Sequence, residues 1–236
     1  MNPEDPHAVV SASRGRLGNL RLIYRPSVFL LAVSAVATLA CYLAAGATLG
    51  LFLGGFFVAT FLVPAAAVSS ERLIHVLDGA AAIVIGIGMI WLVAVIKSVA
   101  SGGEWLLVVL TLASYALALG GLARILARLG MNHVMVNAAG ILIGFAWLTW
   151  PVWLAPHLGG SDRAVNILVS IHPPLAANGI LSNEPPWTER TIAYQLTNLN
   201  QDVPLRLPTS AAPCIVFHLM LGAGLLGMAA IPKQLR

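Results

Sequence analysis

Few side chains in this 236-residue chain are equipped for chemistry, and they are scattered. His75 and His133 stand near the starts of apolar runs, one imidazole from each of two segments, as a haem iron held between two helices would need. His157, His172 and His218 would form a three-histidine metal site if the fold brought them together. Neither group has the short spacing, such as HxxxH, that sets ligands on one helix face. Interfacial or packed imidazoles are the ordinary reading, and no cofactor or metal is expected. His218 stands apart because it lies several residues inside an apolar run, where a polar group faces the protein interior. Cys41 and Cys214 also fall inside apolar runs and read as small core residues, too few for a disulfide framework or a zinc site.

The short motifs fail as catalytic signatures. "GAGLLG" (222–227) has the letters of the dinucleotide fingerprint GxGxxG, which works only in a turn between strand and helix. Here it sits within an apolar run close to the last residue of the sequence. Small residues at that spacing let helix backbones approach closely, and "GILIG" (140–144) reads the same way. With Gly54, Gly55, Gly86, Gly88, Gly120 and Gly121 these mark packing faces. "HVMVN" (133–137) resembles the HxxxN of rhomboid intramembrane proteases, but the GxSG serine those enzymes need occurs nowhere in the chain. The GxxxxGK[ST] phosphate loop is also absent. No enzyme activity is expected.

The elements that must position these residues follow from composition. Hydrophobic residues make up 58% of the chain, charged residues 9%, and the mean hydropathy is +0.87. A soluble domain carries about 25% charged residues, so this chain belongs in a bilayer. A crossing helix needs about 20 apolar residues. The sequence predicts an all-α, polytopic membrane protein with six transmembrane helices, at 28–45, 49–68, 80–99, 105–125, 134–154 and 211–231. The turn between the first two falls at "AAGATLG" (44–50).

Orientation follows from the basic residues. Arg14, Arg16, Arg21, Arg25, Arg72, Arg124, Arg128, Lys233 and Arg236 fall on one side, against Lys97, Arg163, Arg190 and Arg206 on the other. Both termini are therefore expected in the cytoplasm. The net charge of +4 reflects topology and attraction to anionic lipid, with no nucleic-acid partner implied. Trp105, Trp147, Trp150 and Trp153 are expected at the outer interface. No signal peptide is expected, because the start "MNPEDPH" is acidic and the first apolar run begins at residue 28. Residues 13–25 suit an amphipathic helix on the inner leaflet. Four regions result: a cytoplasmic segment 1–27, transmembrane helices one to five in 28–157, an outer cap 158–210, and helix six with a cytoplasmic tail in 211–236.

The cap is the sizeable extramembrane part. Residues 164–183 carry no charge, so they are expected to dip into the membrane or pack on its surface, with "HPP" (172–174) ending one short helix and Asn178-Gly179 offering a turn. The polar segment "WTERTIAYQLTNLNQDVP" (187–204) would brace this element and supply its hydrogen bonds. If a pathway crosses the bundle, its outer mouth is expected here, around His172, Trp187, Tyr194 and His218.

This layout resembles the permease subunits of ABC-2-type transporters. An amphipathic helix before span one, six spans, both termini inside, and short helices between spans five and six are the shared features. The resemblance implies a transport permease of the bacterial cytoplasmic membrane that works with a separate ATPase. It also implies an ATPase contact in "SSERLIHVLDG" (69–79), carried by Glu71, Arg72 and Asp78. The alternative is a non-catalytic accessory subunit of a respiratory or photosynthetic membrane complex. Both readings require membrane lipid and further subunits, in a hetero- or homo-oligomer.

Overall fold

In hydrocarbon a chain must satisfy its backbone N–H and C=O groups internally, and the described residues do so with helices alone. The computed structural model describes residues 26–45, 47–69, 72–97, 100–154, 157, 162–181 and 206–231. Their helices are α1 (Pro26–Ala45), α2 (Ala47–Val68), α3 (Leu73–Ile96), α4 (Gly102–Arg128), α5 (His133–Leu148), α6 (Trp150–Trp153), α7 (Asp162–Ile171), α8 (Pro173–Ile180) and α9 (Ala212–Ala230). Five of them, α1 to α4 and α9, are long and apolar enough to cross a membrane. The chain is a multi-pass membrane protein.

The segment expected as a fifth single span is divided. The α5 helix has 16 residues and stops at Thr149, and the four-residue α6 follows with Pro151 in its first turn. A proline there cannot donate the backbone bond that would continue α5. The start of α3 also differs from expectation. It begins at Leu73, so His75 and Asp78 lie on the helix and not in a loop spanning 69–79.

α2 is the centre of the bundle. Of its apolar window 72% is buried, against 11% for α1 and 22% for α9. A helix enclosed on all sides is apolar all round, which is how "LFLGGFFVATFLV" reads. Phe52 and Phe56 pack on the fully buried Trp91 of α3, with ring centroids 5.2 and 5.8 Å apart. The Trp91 indole N–H donates to the Leu51 carbonyl at 2.7 Å.

Long helices successive in the chain alternate in direction, and α5 runs antiparallel to α2, as the paired residues show. Cys41 meets Gly54, Gly55 meets Trp91, Gly88 meets Val109, and Gly144 meets Thr60. The α9 helix runs beside α4 in the same sense, with Gly121 against Leu225 and Gly222 against Leu117. Arg128, in the last turn of α4, donates to the Met228 and Ile231 carbonyls at the end of α9. The glycines expected as packing faces do lie at helix crossings, except Gly224 and Gly227, which meet nothing within 4 Å.

Local signals fix the reversal between α4 and α5. Gly130 takes φ +89°, and its N–H and that of Met131 bond back to the Ala127 and Leu126 carbonyls at 3.1 and 3.4 Å. This is the Schellman stop, which favours glycine. Asn132 then caps α5, accepting the Met135 N–H at 2.9 Å.

Candidate functional site

The described part of the expected cap is two short helices broken at the expected place. α7 ends at Ile171 and α8 begins with Pro173 and Pro174, which suit a helix start because neither offers an N–H. At 10 and 8 residues each is far shorter than the roughly 30 Å of hydrocarbon. Asn178 and Gly179 do not form the expected turn but lie inside α8. Gly179 is pressed against the Pro208 carbonyl, where a Cβ would come within 2.1 Å.

These helices close over a small core of Trp150, Val165, Val169 and Leu175. Trp150 is fully buried there, packed within the protein. Trp153 is half exposed, and its indole donates to the Ala146 carbonyl at 3.0 Å.

His172, buried at the break, has a capping role. Its Nε2 lies 3.2 Å from the Leu148 carbonyl, one of the orphan acceptors at the C-terminus of α5. A carbonyl only accepts, so Nε2 carries the hydrogen and Nδ1, which has no partner, is a bare acceptor. Burial pushes this imidazole down to about 3, only partly opposed by the Leu148 carbonyl. Cys214 of α9 plays the matching part for α7, its thiol donating to the Ile171 carbonyl at 3.2 Å.

One turn further along α9, His218 Nδ1 lies 2.9 Å from the Cys214 carbonyl. The imidazole is 2% exposed and ringed by aromatics: Phe217 at 5.0 Å, Tyr115 at 5.8 Å and Trp147 at 6.2 Å between centroids. Trp147 also contacts His172 at 5.9 Å, so its indole stands between the two histidines. Beneath His218, Thr60 donates to the Phe56 carbonyl at 2.8 Å. The Tyr115 hydroxyl therefore donates to Thr60 Oγ1 at 2.8 Å, with the Gly144 carbonyl a longer acceptor at 3.3 Å.

His218, Tyr115 and Trp147 line a groove of about 320 Å³ between α4, α5 and α9, open on one side. Its remaining walls are apolar, including Leu122, Ile143, Phe217 and Leu225. Around the cap, buried polar atoms without a hydrogen bond include the Trp147 and Trp150 indole nitrogens and both side-chain atoms of Asn178. Asn137 of α5 likewise leaves its Oδ1 unpartnered.

Of the residues expected at an outer mouth, His172 and His218 thus come together, joined through Trp147. Trp187 and Tyr194 lie outside the described residues, as does the rest of 187–204. Sequence reasoning missed Tyr115, Trp147 and Cys214 as members of this cluster. The Cys214/His218 spacing of four was a legible signal, because it stacks the pair on one helix face.

The expected partner contact is at the opposite end of the bundle. Arg72, His75 and Asp78 follow at intervals of three along the start of α3 and line a cleft of about 530 Å³ with Ser27 and Ser69. Glu71 lies outside the described residues. Among the described residues no three His, Cys, Asp or Glu side chains converge as a metal site. No protein-family model, curated protein or solved structure matches the chain.

Proposed function

We propose that this chain is an integral-membrane permease subunit, energised by a separate ATPase, that takes its cargo laterally from the bilayer. The groove between α4, α5 and α9 carries the reading. It is open on one side, carries the Tyr115, Trp147 and His218 side chains on an otherwise apolar wall, and reaches the α7–α8 break through the Trp147–His172 contact. A membrane-borne solute reaches such a site without crossing a charged pathway, in keeping with the apolar interior of the bundle.

The Arg72–His75–Asp78 stripe supports an ATPase seat, since it presents charge at a cleft between three helix ends. In this reading six passes place that end, with both termini, in the cytoplasm of a bacterial cell and place the cap outside. Charge reversal by Arg72→Glu with Asp78→Lys should abolish transport-coupled ATP hydrolysis while the complex still folds.

The second reading is an accessory subunit of a larger membrane complex. It draws on the open glycines of α9, Gly224 and Gly227, and on the exposed apolar face of α1 with Phe29, Val36 and Leu43. Purification from native membranes, with mass spectrometry of co-eluting chains, separates the two. An ATP-binding subunit supports the permease, and haem or pigment proteins support the accessory role.

A further inference from the structure

The hydrogen bonding of His218 defines what the groove can hold. Nδ1 faces the Cys214 carbonyl at 2.9 Å. Because that oxygen only accepts, Nδ1 carries the ring hydrogen, and Nε2 of the neutral ring is a lone pair. No described residue donates to it. Tyr115 is the one wall residue with a hydroxyl, and it is committed to Thr60 and Gly144. A side chain 2% exposed in an apolar wall ordinarily has its acceptors satisfied.

We propose that the groove binds a membrane-soluble phenol or hydroquinone, its hydroxyl donating to His218 Nε2. This deepens the reading of the groove as a lateral portal and rests on it. Three features select the ligand. The wall carries one free acceptor, His218 Nε2, beside one unpartnered donor, the Trp147 indole N–H; a hydroxyl, which donates and accepts, matches both, whereas a quinone or ester, which only accepts, leaves Nε2 unpaired. The acceptor is framed by the Tyr115, Trp147 and Phe217 rings at 5.0–6.2 Å, which favours a flat ring in offset or edge contact. The volume of about 320 Å³ holds one ring with the first carbons of a tail, given that an engineered cavity of about 150 Å³ holds benzene. The tail leaves along Ile143, Leu221 and Leu225 toward the open side.

An alkylphenol carrying a diazirine in its chain tests this on the full-length protein in lipid nanodiscs, with adducts mapped by mass spectrometry. Labelling is expected at Ile143, Leu221 or Leu225. Excess 4-decylphenol should suppress it about tenfold more effectively than decylbenzene, which lacks only the hydroxyl. His218→Leu should make the two competitors equal, and His218→Gln, which keeps an acceptor, should retain the difference. Equal competition in the wild-type protein overturns the headgroup assignment and leaves a groove that takes any lipophile. Absence of label from the groove overturns the assignment and the lateral portal together. Should His218→Leu fail to fold, the wild-type competitor ratio and the Gln variant decide the matter alone.

Discussion

Gly222 of α9 rests directly on the peptide joining Leu117 to Ala118 of α4. A Cβ at this glycine would lie 2.8 Å from the Leu117 carbonyl carbon and 2.9 Å from the Ala118 nitrogen. Gly121 makes the reciprocal approach: a Cβ there would lie 3.0 Å from the Gly222 carbonyl oxygen. With lipid on the other side of α9, close backbone packing of this kind is what holds a transmembrane helix in place.

Gly222→Ala should therefore destabilise the protein by about 1–3 kcal/mol, the usual cost of forcing extra atoms into a packed contact. Gly224→Ala, two residues on, meets open space. It should be neutral or stabilising by up to about 1 kcal/mol, because alanine is the better helix former. Unfolding in mixed micelles measures both. Equal losses for the two variants would mean that α9 is not seated on α4 as described.

The Tyr115 hydroxyl and Thr60 Oγ1, 2.8 Å apart, join α4 to α2 in the buried centre. Interhelical hydrogen bonds in membranes average about 0.6 kcal/mol and reach about 1.7 kcal/mol. A double-mutant cycle with Tyr115→Phe and Thr60→Val should return a coupling within that range. Zero coupling would identify the Gly144 carbonyl as the true partner of Tyr115.

Much of the helical framework is legible in the chain, because bilayer crossing imposes a length and a composition. The misreadings are local. The third span is expected from residue 80, yet Leu73, Val76, Leu77 and Ala80 already have helical spacing and α3 begins at Leu73. "SGGE" is a capping box, with Ser101 and Glu104 each accepting from the other's backbone N–H at 3.2 and 2.6 Å. It starts α4 three residues before the expected 105. The division of α5 from α6 was signalled only by Pro151. The site was less legible, since Tyr115, Trp147 and His218 lie on three helices whose packing no local pattern encodes.

His172 makes the fold sensitive to acid. It lies between α7 and α8, outside the long helices, and burial lowers its pKa to about 3 from an ordinary value near 6.5. Between those values the unfolded chain binds a proton that the folded protein excludes, so stability falls as pH drops from about 7 toward 3. Unfolding temperatures at pH 7.5 and pH 4.5 should differ more for the wild-type protein than for His172→Gln. An equal drop in the two proteins would assign the acid sensitivity to other titratable groups.

The number of passes turns on α5. Five helices cross by length alone, which by itself would put Gly130 and the start of α7 on the same side. The α5 helix, at 16 residues, spans about 24 Å, short of the roughly 30 Å hydrocarbon thickness. Two relationships argue that the chain crosses here nonetheless. Along α5, Gly140 meets Pro64 and Gly144 meets Thr60, so the helix runs antiparallel to the central α2. Its far end reaches Trp147 and Leu148, which touch His172 at the opposite end of the bundle from Gly130. The basic side chains among the described residues divide evenly, Arg72, Arg124 and Arg128 at one end against Lys97, Arg163 and Arg206 at the other, so charge there does not decide the matter. Reporter fusions do. A fusion at Gly130 and one after Ile231 should report the cytoplasm, and one at Ser161 the other side. If Gly130 and Ser161 report the same compartment, α5 is a re-entrant helix and the six-pass arrangement is wrong.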